Sequence, residues 1–373
     1  DMLFAVTLDG SIIAMGENVI DDRLSRPTKE RPEQPKWDDS RDADSKVAAR
    51  ASAADLLAPT DAQGYAFWFG NADHPVLHEL ARDCPFEQLA IVDPDVARVE
   101  RFRRQLDAAG LHGRVTVHPA DPRSFRAPHY VAHAVFVSAA NITRLDDSMI
   151  SAIYQSVRPF GGVMHLLTDS DRPALAARID AMGLEQAEVA MSAHGVEVRR
   201  VGALPGSADW THQSGDIANT LKSDDSRVKL PLGVLWFGGS SHLDVLPRHG
   251  HGPPEQVIGG RLFIQGINSL SARDVYTGRV LWKRDFEDLG TYDVYYDDTF
   301  EDVPLNPKYN QVHIPGANGR GTNYVAASDR VYLVEGTVCH ALDPATGETL
   351  HDFHLPPGED GASESWAYIG VYE

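Results

Sequence analysis

Apolar residues follow two patterns along the chain. Between positions 64 and 201, short apolar runs alternate with stretches in which an apolar residue recurs every three or four positions. This pattern predicts strands that alternate with amphipathic helices. On both sides of this region the helical spacing is missing, and short strand-like runs are separated by Gly and Pro, which predicts antiparallel strands. We therefore expect a mixed fold in which an α/β domain interrupts a β-rich segment.

Seven strands are predicted in the α/β region, with helices between them. Gly110 and the pair Gly161-Gly162 stand where helices should end. Alternation of this kind favours a mostly parallel sheet that is covered on both faces. The strand candidates are Tyr65–Phe69, Leu89–Asp93, Val115–His118, Ala134–Val137, Val163–Leu167, Glu188–Met191 and Val196–Val201.

The β-rich parts contain a repeat. Arg261–Trp282 aligns with Arg330–His351 at a constant offset of 69 positions. Leu3–Met15, which predicts two strands around an Asp9-Gly10 turn, matches the first half of the same unit with one residue added. Because the repeat occurs on both sides of the α/β region, an insertion into a repeat array is the economical explanation.

The repeated unit resembles the tryptophan-docking motif of PQQ-type β-propeller blades. Its pattern A-x-D-x-x-T-G-x-x-L-W is complete at Ala272–Trp282. The resemblance implies that Asp274 and Thr277-Gly278 form a turn between two strands and that Trp282 packs against the neighbouring blade. Physical chemistry agrees, since Asp can bond the backbone of its own turn, Gly tolerates positive φ, and a Trp ring buries a large apolar area. His351 replaces Trp in the second copy, so we expect a weaker contact there.

The α/β region resembles class I S-adenosylmethionine methyltransferases in the order of its landmarks. The resemblance places the methionine end of the cofactor near Gly70 and Asp73, after the first strand. It places the ribose hydroxyls at Asp93, after the second strand, by the same logic as in dinucleotide-binding folds. Asp121, after the third strand, would contact the adenine, and Ser138 closes the fourth strand, where substrate or catalytic groups usually lie.

The glycine-rich loop of that family is incomplete here. The chain has Gly70-Asn-Ala72-Asp-His74-Pro75, so that only the first glycine of a G-x-G-x-G pattern is kept. Side chains at Ala72 and His74 would intrude where a cofactor needs bare backbone. S-adenosylmethionine binding and a domain that retains only the fold are therefore both open. Asp93 also has a second interpretation, as the N-cap of a helix that starts near Pro94.

The region between the first hairpin and the α/β domain is polar. More than half of the residues from Asp21 to Lys46 are charged, which predicts a solvated linker, and Lys46–Leu57 is an Ala-rich helix candidate. We divide the chain into propeller strands of a partial blade at 1–16, a charged linker with a short helix at 17–60, a Rossmann-like methyltransferase-type insert at 61–203, and PQQ-like blades at 204–373.

Charge narrows the class of partner. The net charge of −20 arises from 54 acidic and 34 basic residues and repels phosphate backbones and anionic lipids. No stretch approaches the ~20 apolar residues that span a bilayer. We expect protein partners or a small molecule, with neither nucleic acid nor membrane insertion, and make no prediction of the oligomeric state.

The sequence gives little support for a disulfide or a metal site. Cys84 and Cys339 lie in different predicted domains, which supports neither a disulfide framework nor a zinc site. His249-x-His251 could form a metal pair, with His212 or His313 as further ligands, but the neighbouring Gly and Pro residues favour a hydrogen-bonded loop. No metal site is predicted. The absence of adjacent cysteines argues against bound PQQ.

The resulting hypothesis is a bacterial scaffold or interaction protein built on a PQQ-like propeller with a non-catalytic methyltransferase-like insert. The alternatives are an active S-adenosylmethionine-dependent methyltransferase whose propeller holds the substrate, and a PQQ-dependent dehydrogenase. Ser138, Asn141 and Asp146 form no recognisable arrangement of acid, base or nucleophile, so no catalytic residue is identified. We expect a periplasmic or envelope location, or the cytoplasm for an active methyltransferase. Strand-like sequence at both ends leads us to expect that the chain is cut from a longer polypeptide.

Overall fold

The computed structural model describes residues 2–6, 12–16, 37, 41–58, 63–142, 145–236, 244–245, 255–266, 268–287, 289, 324–359, 361–362, 364 and 366–372. The Asp9-Gly10 turn, most of the charged linker, the His249-x-His251 pair and His313 lie outside these residues. Within them the strands form one seven-stranded sheet, two four-stranded sheets and a two-stranded hairpin.

The chain begins with the hairpin of β1 (Met2–Val6) and β2 (Ile12–Gly16), which pair antiparallel, as predicted. Helix α1 (Ala43–Leu57) follows the linker and starts three residues earlier than predicted. Its N-cap is Asp42, whose side chain accepts a hydrogen bond from the Ser45 N–H.

The seven-stranded sheet matches the predicted strands to within two residues at each end. Its strands are β3 (Tyr65–Phe69), β4 (Gln88–Asp93), β5 (Val115–Pro119), β6 (Ala132–Val137), β7 (Val163–Leu167), β8 (Ala187–Ser192) and β9 (Gly195–Arg200). Their order is β5-β4-β3-β6-β7-β9-β8. The first five strands in this order pair parallel, whereas β9 pairs antiparallel with both β7 and β8.

Helices pack on both faces of this sheet. Helices α1, α2 (Pro75–Arg82) and α3 (Val96–Ala108) cover one face, over a core that includes Trp68 and Phe86. On the other face, α5 (Asp147–Tyr154) and α6 (Arg172–Ala181) pack over a core that includes Val135; the short α4 (Ala139–Ile142) precedes them. Residues 120–131, which connect β5 to β6, contain no helix.

Part of the predicted linker is docked on this domain. Trp37 packs edge-on against Phe102 at 6.0 Å, and the Arg41 guanidinium donates to the buried Glu79 carboxylate at 2.7 Å. The prediction of a fully solvated segment is therefore wrong at its C-terminal end, because one aromatic side chain and one ion pair suffice to hold it.

Each of the two four-stranded sheets is an antiparallel meander, in which consecutive strands are neighbours. The first contains β10 (Gln256–Ile258), β11 (Arg261–Gly266), β12 (Ser269–Asp274) and β13 (Val280–Asp285); the second contains β14 (Tyr324–Ala326), β15 (Val331–Glu335), β16 (Val338–Leu342) and β17 (Thr349–His354). The central hairpins have the same register, since Phe263 lies opposite Ala272 and Tyr332 lies opposite Ala341.

Among the described residues, no helix combines the length and the apolar composition that a bilayer span requires. Cys84 and Cys339 are both free and buried. Burial raises the pKa of the Cys84 thiol and that of the Cys339 thiol, the latter to about 11, so both are ordinary core thiols.

Candidate functional site

Four of the five predicted site residues follow neighbouring strands at the carboxyl edge of the seven-stranded sheet. The strand order places Asp121, Asp93, Gly70 and Ser138 side by side along this edge. The Gly70 N–H donates to the Val92 carbonyl at 2.9 Å, and the Ser138 N–H donates to the Phe69 carbonyl at 3.0 Å. Strand order reverses between β3 and β6, where Gly70 and Ser138 meet, and such reversal points are where open α/β sheets bind ligands.

Asp93 is fully buried and its carboxylate is already occupied. It accepts hydrogen bonds from Arg98 Nε and Nη2, both at 2.8 Å, from the Ala72 N–H at 2.7 Å and from the Asp95 N–H at 2.8 Å. Burial by itself would raise the pKa of Asp93, but the hydrogen bonds from Arg98 and the two amides outweigh it and hold the pKa below its usual value. A carboxylate offers about four acceptor positions, so the chain itself fills the position expected for the ribose.

The sequence offered Asp93 as the N-cap of α3, but the N-cap lies two residues later. Asp95 is the N-cap of α3 and accepts from the Arg98 N–H at 3.0 Å. The N-cap interpretation of Asp93 is therefore wrong, because Asp93 supports the Asp95 backbone instead of capping the helix.

In the loop after β3, side chains of the loop accept hydrogen bonds from nearby backbone N–H groups. Asn71 Oδ1 accepts from the Asp73 N–H at 2.9 Å, and Ala72 is fully buried in the core beneath α2. His74 Nδ1 caps α2 by accepting from the Val76 N–H at 3.3 Å. Burial, and then the nearby His78, lower the pKa of His74, so that the ring is neutral at pH 7. Asn71 and His74 thus use these acceptor atoms for the protein's own backbone.

The remaining predicted residues differ in environment. Asp73 is half-exposed and pairs with Arg101 Nη2 at 2.9 Å, while the exposed Asp121 accepts from the Arg123 N–H at 2.9 Å within its own turn. The Ser138 hydroxyl is buried and has no hydrogen-bond partner among the described residues. A cavity of about 430 Å³ adjoins Phe69 near this edge. The fold thus brings Asp121, Asp93, Gly70 and Ser138 to one edge of the sheet, and Asp73 lies in the loop that follows Gly70.

Metal binding finds no support in the described part of the chain, which holds no group of three or more His, Cys, Asp or Glu side chains placed to bind an ion. His212, one of the ligands considered from the sequence, is buried in a hydrogen-bonded setting. Its Nε2 accepts from the Val371 N–H at 3.0 Å, and its Nδ1 lies 2.8 Å from Thr211 Oγ1.

The repeated turn has the geometry that its sequence predicts. Asp274 Oδ1 accepts from the backbone N–H groups of Tyr276 and Thr277 at 2.8 and 3.2 Å, and Gly278 has a φ of 73°. In the second copy, Asp343 Oδ1 accepts from the N–H groups of Ala345 and Thr346 at 2.6 and 3.0 Å. The predicted roles of Asp274 and Gly278 are confirmed.

Trp282 joins the two four-stranded sheets, as the motif predicts. Its Nε1 donates to the Pro344 carbonyl at 3.0 Å, and a Cβ added to Gly347 would lie 2.6 Å from its ring. Only glycine can therefore stand beneath the indole, which is itself buried.

Trp236 makes the same contact one sheet earlier. Its Nε1 donates to the Val275 carbonyl at 2.9 Å, and a Cβ on Gly278 would lie 2.4 Å from its ring. Sequence analysis missed this role, although the tripeptide Val234-Leu-Trp236 repeats Val280-Leu-Trp282.

A buried ion pair joins the α/β domain to the first four-stranded sheet. Arg158 Nε donates to Asp274 Oδ2, and His133 Nε2 lies 3.7 Å from the same oxygen. Nearby, a Cβ on Gly260 would lie 2.6 Å from the Phe160 ring, which marks a close approach of the two domains. The motif carboxylate thus binds its own turn with one oxygen and the other domain with the second.

No protein-family model matches the chain, and no curated protein matches it. Several solved structures do. A protein from Methanococcus maripaludis named as an S-adenosyl-L-methionine-dependent methyltransferase is 11% identical, with a TM-score of 0.35, over 44% of this chain and 97% of that one. The N-methyltransferase NodS from Bradyrhizobium japonicum WM9 is 13% identical, with a TM-score of 0.31, over 43% of this chain and 98% of that one.

A methyltransferase from Geobacter sulfurreducens is 12% identical, with a TM-score of 0.32, over 43% of this chain and 80% of that one. These likenesses are distant and concern the fold alone. The chain contains a Rossmann-like domain with a mixed α/β sheet, together with two small antiparallel four-stranded sheets.

Proposed function

We propose that the protein is a scaffold or interaction protein, in which the methyltransferase-like domain has kept its fold without a working cofactor site. The observation that carries the proposal is the Asp93 carboxylate, whose acceptor positions are taken by Arg98, Ala72 and Asp95. A ribose would have to displace a two-pronged guanidinium contact, which is among the stronger hydrogen-bonded pairs in proteins. The buried Ala72 adds a side chain where the family has bare backbone.

Isothermal titration with S-adenosylhomocysteine and S-adenosylmethionine tests this part of the proposal. Wild-type protein should give no saturable heat up to about 1 mM ligand. Micromolar binding that is lost in Asp93→Asn and retained in Arg104→Gln would overturn the proposal. Arg104 is the control, since it is exposed on α3 and its side chain donates to the Glu100 carbonyl and to none of the five predicted site residues. That outcome would favour the active methyltransferase, for which the unpartnered Ser138 hydroxyl at the reversal point is the supporting observation.

The scaffold itself is proposed to be a PQQ-like propeller whose first blade is split by the α/β domain. Two repeated contacts support this architecture: Trp282 over Gly347, and Trp236 over Gly278. Residues 231–236 are not paired in any described sheet, and β1 and β2 form a two-stranded sheet; by analogy with Trp282 we propose that Trp236 closes a blade to which β1 and β2 also belong. Their register places Phe4 opposite Ala14, as the aromatic and alanine positions pair in both complete sheets. The α/β domain would then be inserted at the turn that precedes the last strand of that blade.

Engineered cysteines test the split blade. In the first complete sheet Arg273 lies opposite Val280, and the repeat aligns these positions with Met15 and Val234. Met15→Cys combined with Val234→Cys should form an intrachain disulfide under mild oxidation, which peptide mass spectrometry detects. Met15→Cys with Leu221→Cys is the control, since Leu221 is also exposed but lies outside the alignment. Equal cross-linking in both pairs, or none in the first, would overturn the split blade.

The location follows from the same proposal. A domain that uses no S-adenosylmethionine does not depend on the cytoplasmic supply, so we place the protein in the periplasm or envelope. Fractionation of cells that produce the full-length protein tests this placement, and recovery in the cytoplasmic fraction would contradict it.

A further inference from the structure

One face of the seven-stranded sheet is incompletely covered by helices. Parallel sheets normally carry helices on both faces. Here the β5 to β6 connection, residues 120–131, passes over the β3-β4-β5 half of the sheet without forming a helix. Phe125 from this connection packs against Phe67 at 6.4 Å, but the rest of the face remains open to the first four-stranded sheet.

A cavity of about 360 Å³ occupies the space between this face and the neighbouring sheet. Five aromatic residues line it: Tyr65, Phe67 and Phe125 from the α/β domain, and Trp236 and Tyr276 from the β-rich part. Ala90 on β4 forms part of its floor. None of its fourteen lining residues is Asp, Glu, Lys or Arg, in a chain whose net charge is −20.

The lining includes uncharged polar side chains, among them Gln88 and Thr277, and one pair of them lies on β5. Thr116 and His118 line it from β5, and His118 Nε2 lies 3.2 Å from Thr116 Oγ1. Burial, and then Arg103, lower the pKa of His118, so that the ring is neutral at pH 7. A neutral imidazole and a hydroxyl can each donate or accept one hydrogen bond to a ligand.

We propose that this cavity binds a neutral, planar aromatic small molecule with few polar groups, one of which meets Thr116 and His118. Its volume falls within the range of small-molecule sites, which commonly lie between domains and combine an apolar lining with few polar groups. The missing charges disfavour nucleotides, sugar phosphates and acidic peptides, whose burial would leave their charges unpaired. On β3 the cavity adjoins Tyr65–Phe67, at the half of the strand away from Gly70, and none of the five predicted site residues lines it; Phe125 lines both this cavity and the one near the carboxyl edge. The proposed ligand site therefore goes beyond the proposed scaffold function.

A fluorescent probe tests the proposal on the intact protein. N-phenyl-1-naphthylamine is uncharged, carries two linked aromatic systems and brightens in apolar surroundings. Wild-type protein should bind it saturably with one site per chain, accompanied by a change in tryptophan emission from Trp236. Ala90→Leu, which fills the cavity floor, should weaken binding at least about tenfold. Ala54→Leu adds the same side chain to the exposed face of α1 and should leave binding unchanged.

Hydrogen exchange on the wild-type chain provides a measurement that does not depend on a folded variant. The probe should increase amide protection at Val115–Pro119 and at Leu235-Trp236, and leave α6 unchanged. The proposal is overturned if wild-type protein shows no saturable binding, if folded Ala90→Leu binds as the wild type does, or if protection appears away from these two segments.

Discussion

Substitution of Arg158 should show how much stability comes from its ion pair with Asp274, as distinct from the hydrogen bonds that Asp274 makes within its own turn. Arg158 Nε donates to the carboxylate of Asp274, which has no exposed surface. Arg158→Met keeps most of the side-chain volume but leaves this buried carboxylate without its guanidinium. Breaking a buried ion pair on one side costs about 3–5 kcal/mol, because the remaining charge has lost its compensation.

The second repeat offers a matched control for the local part of this cost. Asp343 accepts two backbone hydrogen bonds within its turn, as Asp274 does, but it makes no ion pair with the α/β domain among the described residues. Asp343→Asn should therefore cost only about 0.5–1.5 kcal/mol. Asp274→Asn loses the same local interaction and in addition leaves Arg158 buried without its anion, so it should cost about 3 kcal/mol or more.

Differential scanning calorimetry distinguishes these expectations. At ~2–4 °C per kcal/mol for a unit of this size, Arg158→Met should lower Tm by ~6–20 °C, Asp274→Asn by at least ~6–12 °C, and Asp343→Asn by ~1–6 °C. The double variant Arg158→Met/Asp274→Asn should lose less than the sum of the single losses, since the two side chains are in contact. If Arg158→Met lowers Tm no more than Asp343→Asn does, the ion pair does not hold the domains together and the argument fails.

Three further predictions follow from individual contacts. Gly347→Ala should lower the free energy of unfolding in urea by ~1–3 kcal/mol, because its Cβ would lie 2.6 Å from the Trp282 ring. Gly336→Ala has a positive φ but open space around the new Cβ, so it should lower this free energy by about 1 kcal/mol. Equal losses would contradict the docking geometry. Trp236→Leu should cost about 2 kcal/mol and increase hydrogen exchange in β12 and β13, and unchanged exchange there would count against its docking role. Burial, with Arg199 and His194 nearby, lowers the pKa of His165 to about 3 from 6.5, so the unfolded state binds more protons between these values and stability falls as the pH drops below 6.5. His165→Phe should remove this acid loss, of about 1.4 kcal/mol per pH unit, in calorimetric scans at pH 7 and 4.5; the same loss in both proteins would refute it.

Sequence patterns predicted the sheet better than the site. The seven strands were predictable because buried parallel strands are short apolar runs bounded by polar or glycine residues, and this property is local. The turn at Asp274 was predictable for the same reason, since its hydrogen bonds join residues two and three positions apart. The hydrophobic pattern did not reveal the docking of Trp37, because a single aromatic residue in a charged segment has no periodicity.

The occupancy of Asp93 could not be derived from sequence, although its partner lies only five residues away. An acidic residue after the second strand serves equally well as a ribose ligand or as an acceptor for Arg98, and only the three-dimensional arrangement decides. The same limit applies to Arg158, whose partner Asp274 is distant in the chain. The role of Trp236 could have been predicted, since the tripeptide Val234-Leu-Trp236 repeats Val280-Leu-Trp282.

The energetic difference between the two roles of Asp93 supports the scaffold proposal over the enzyme. To bind a ribose, the carboxylate would exchange a two-pronged ion pair with Arg98 for two hydrogen bonds from neutral hydroxyls. Bonds of both kinds have a charged acceptor and are worth about 1.5–3 kcal/mol each, so the deficit is the lost charge pairing between Arg98 and the buried carboxylate. Arg98 is 28% exposed, so solvent regains part of the loss when the guanidinium is released. Even a net deficit of about 1.4 kcal/mol weakens binding tenfold. An active methyltransferase would have to recover this deficit elsewhere, and the buried Ala72 and the helix-capping His74 leave the neighbouring loop poorly placed to provide it.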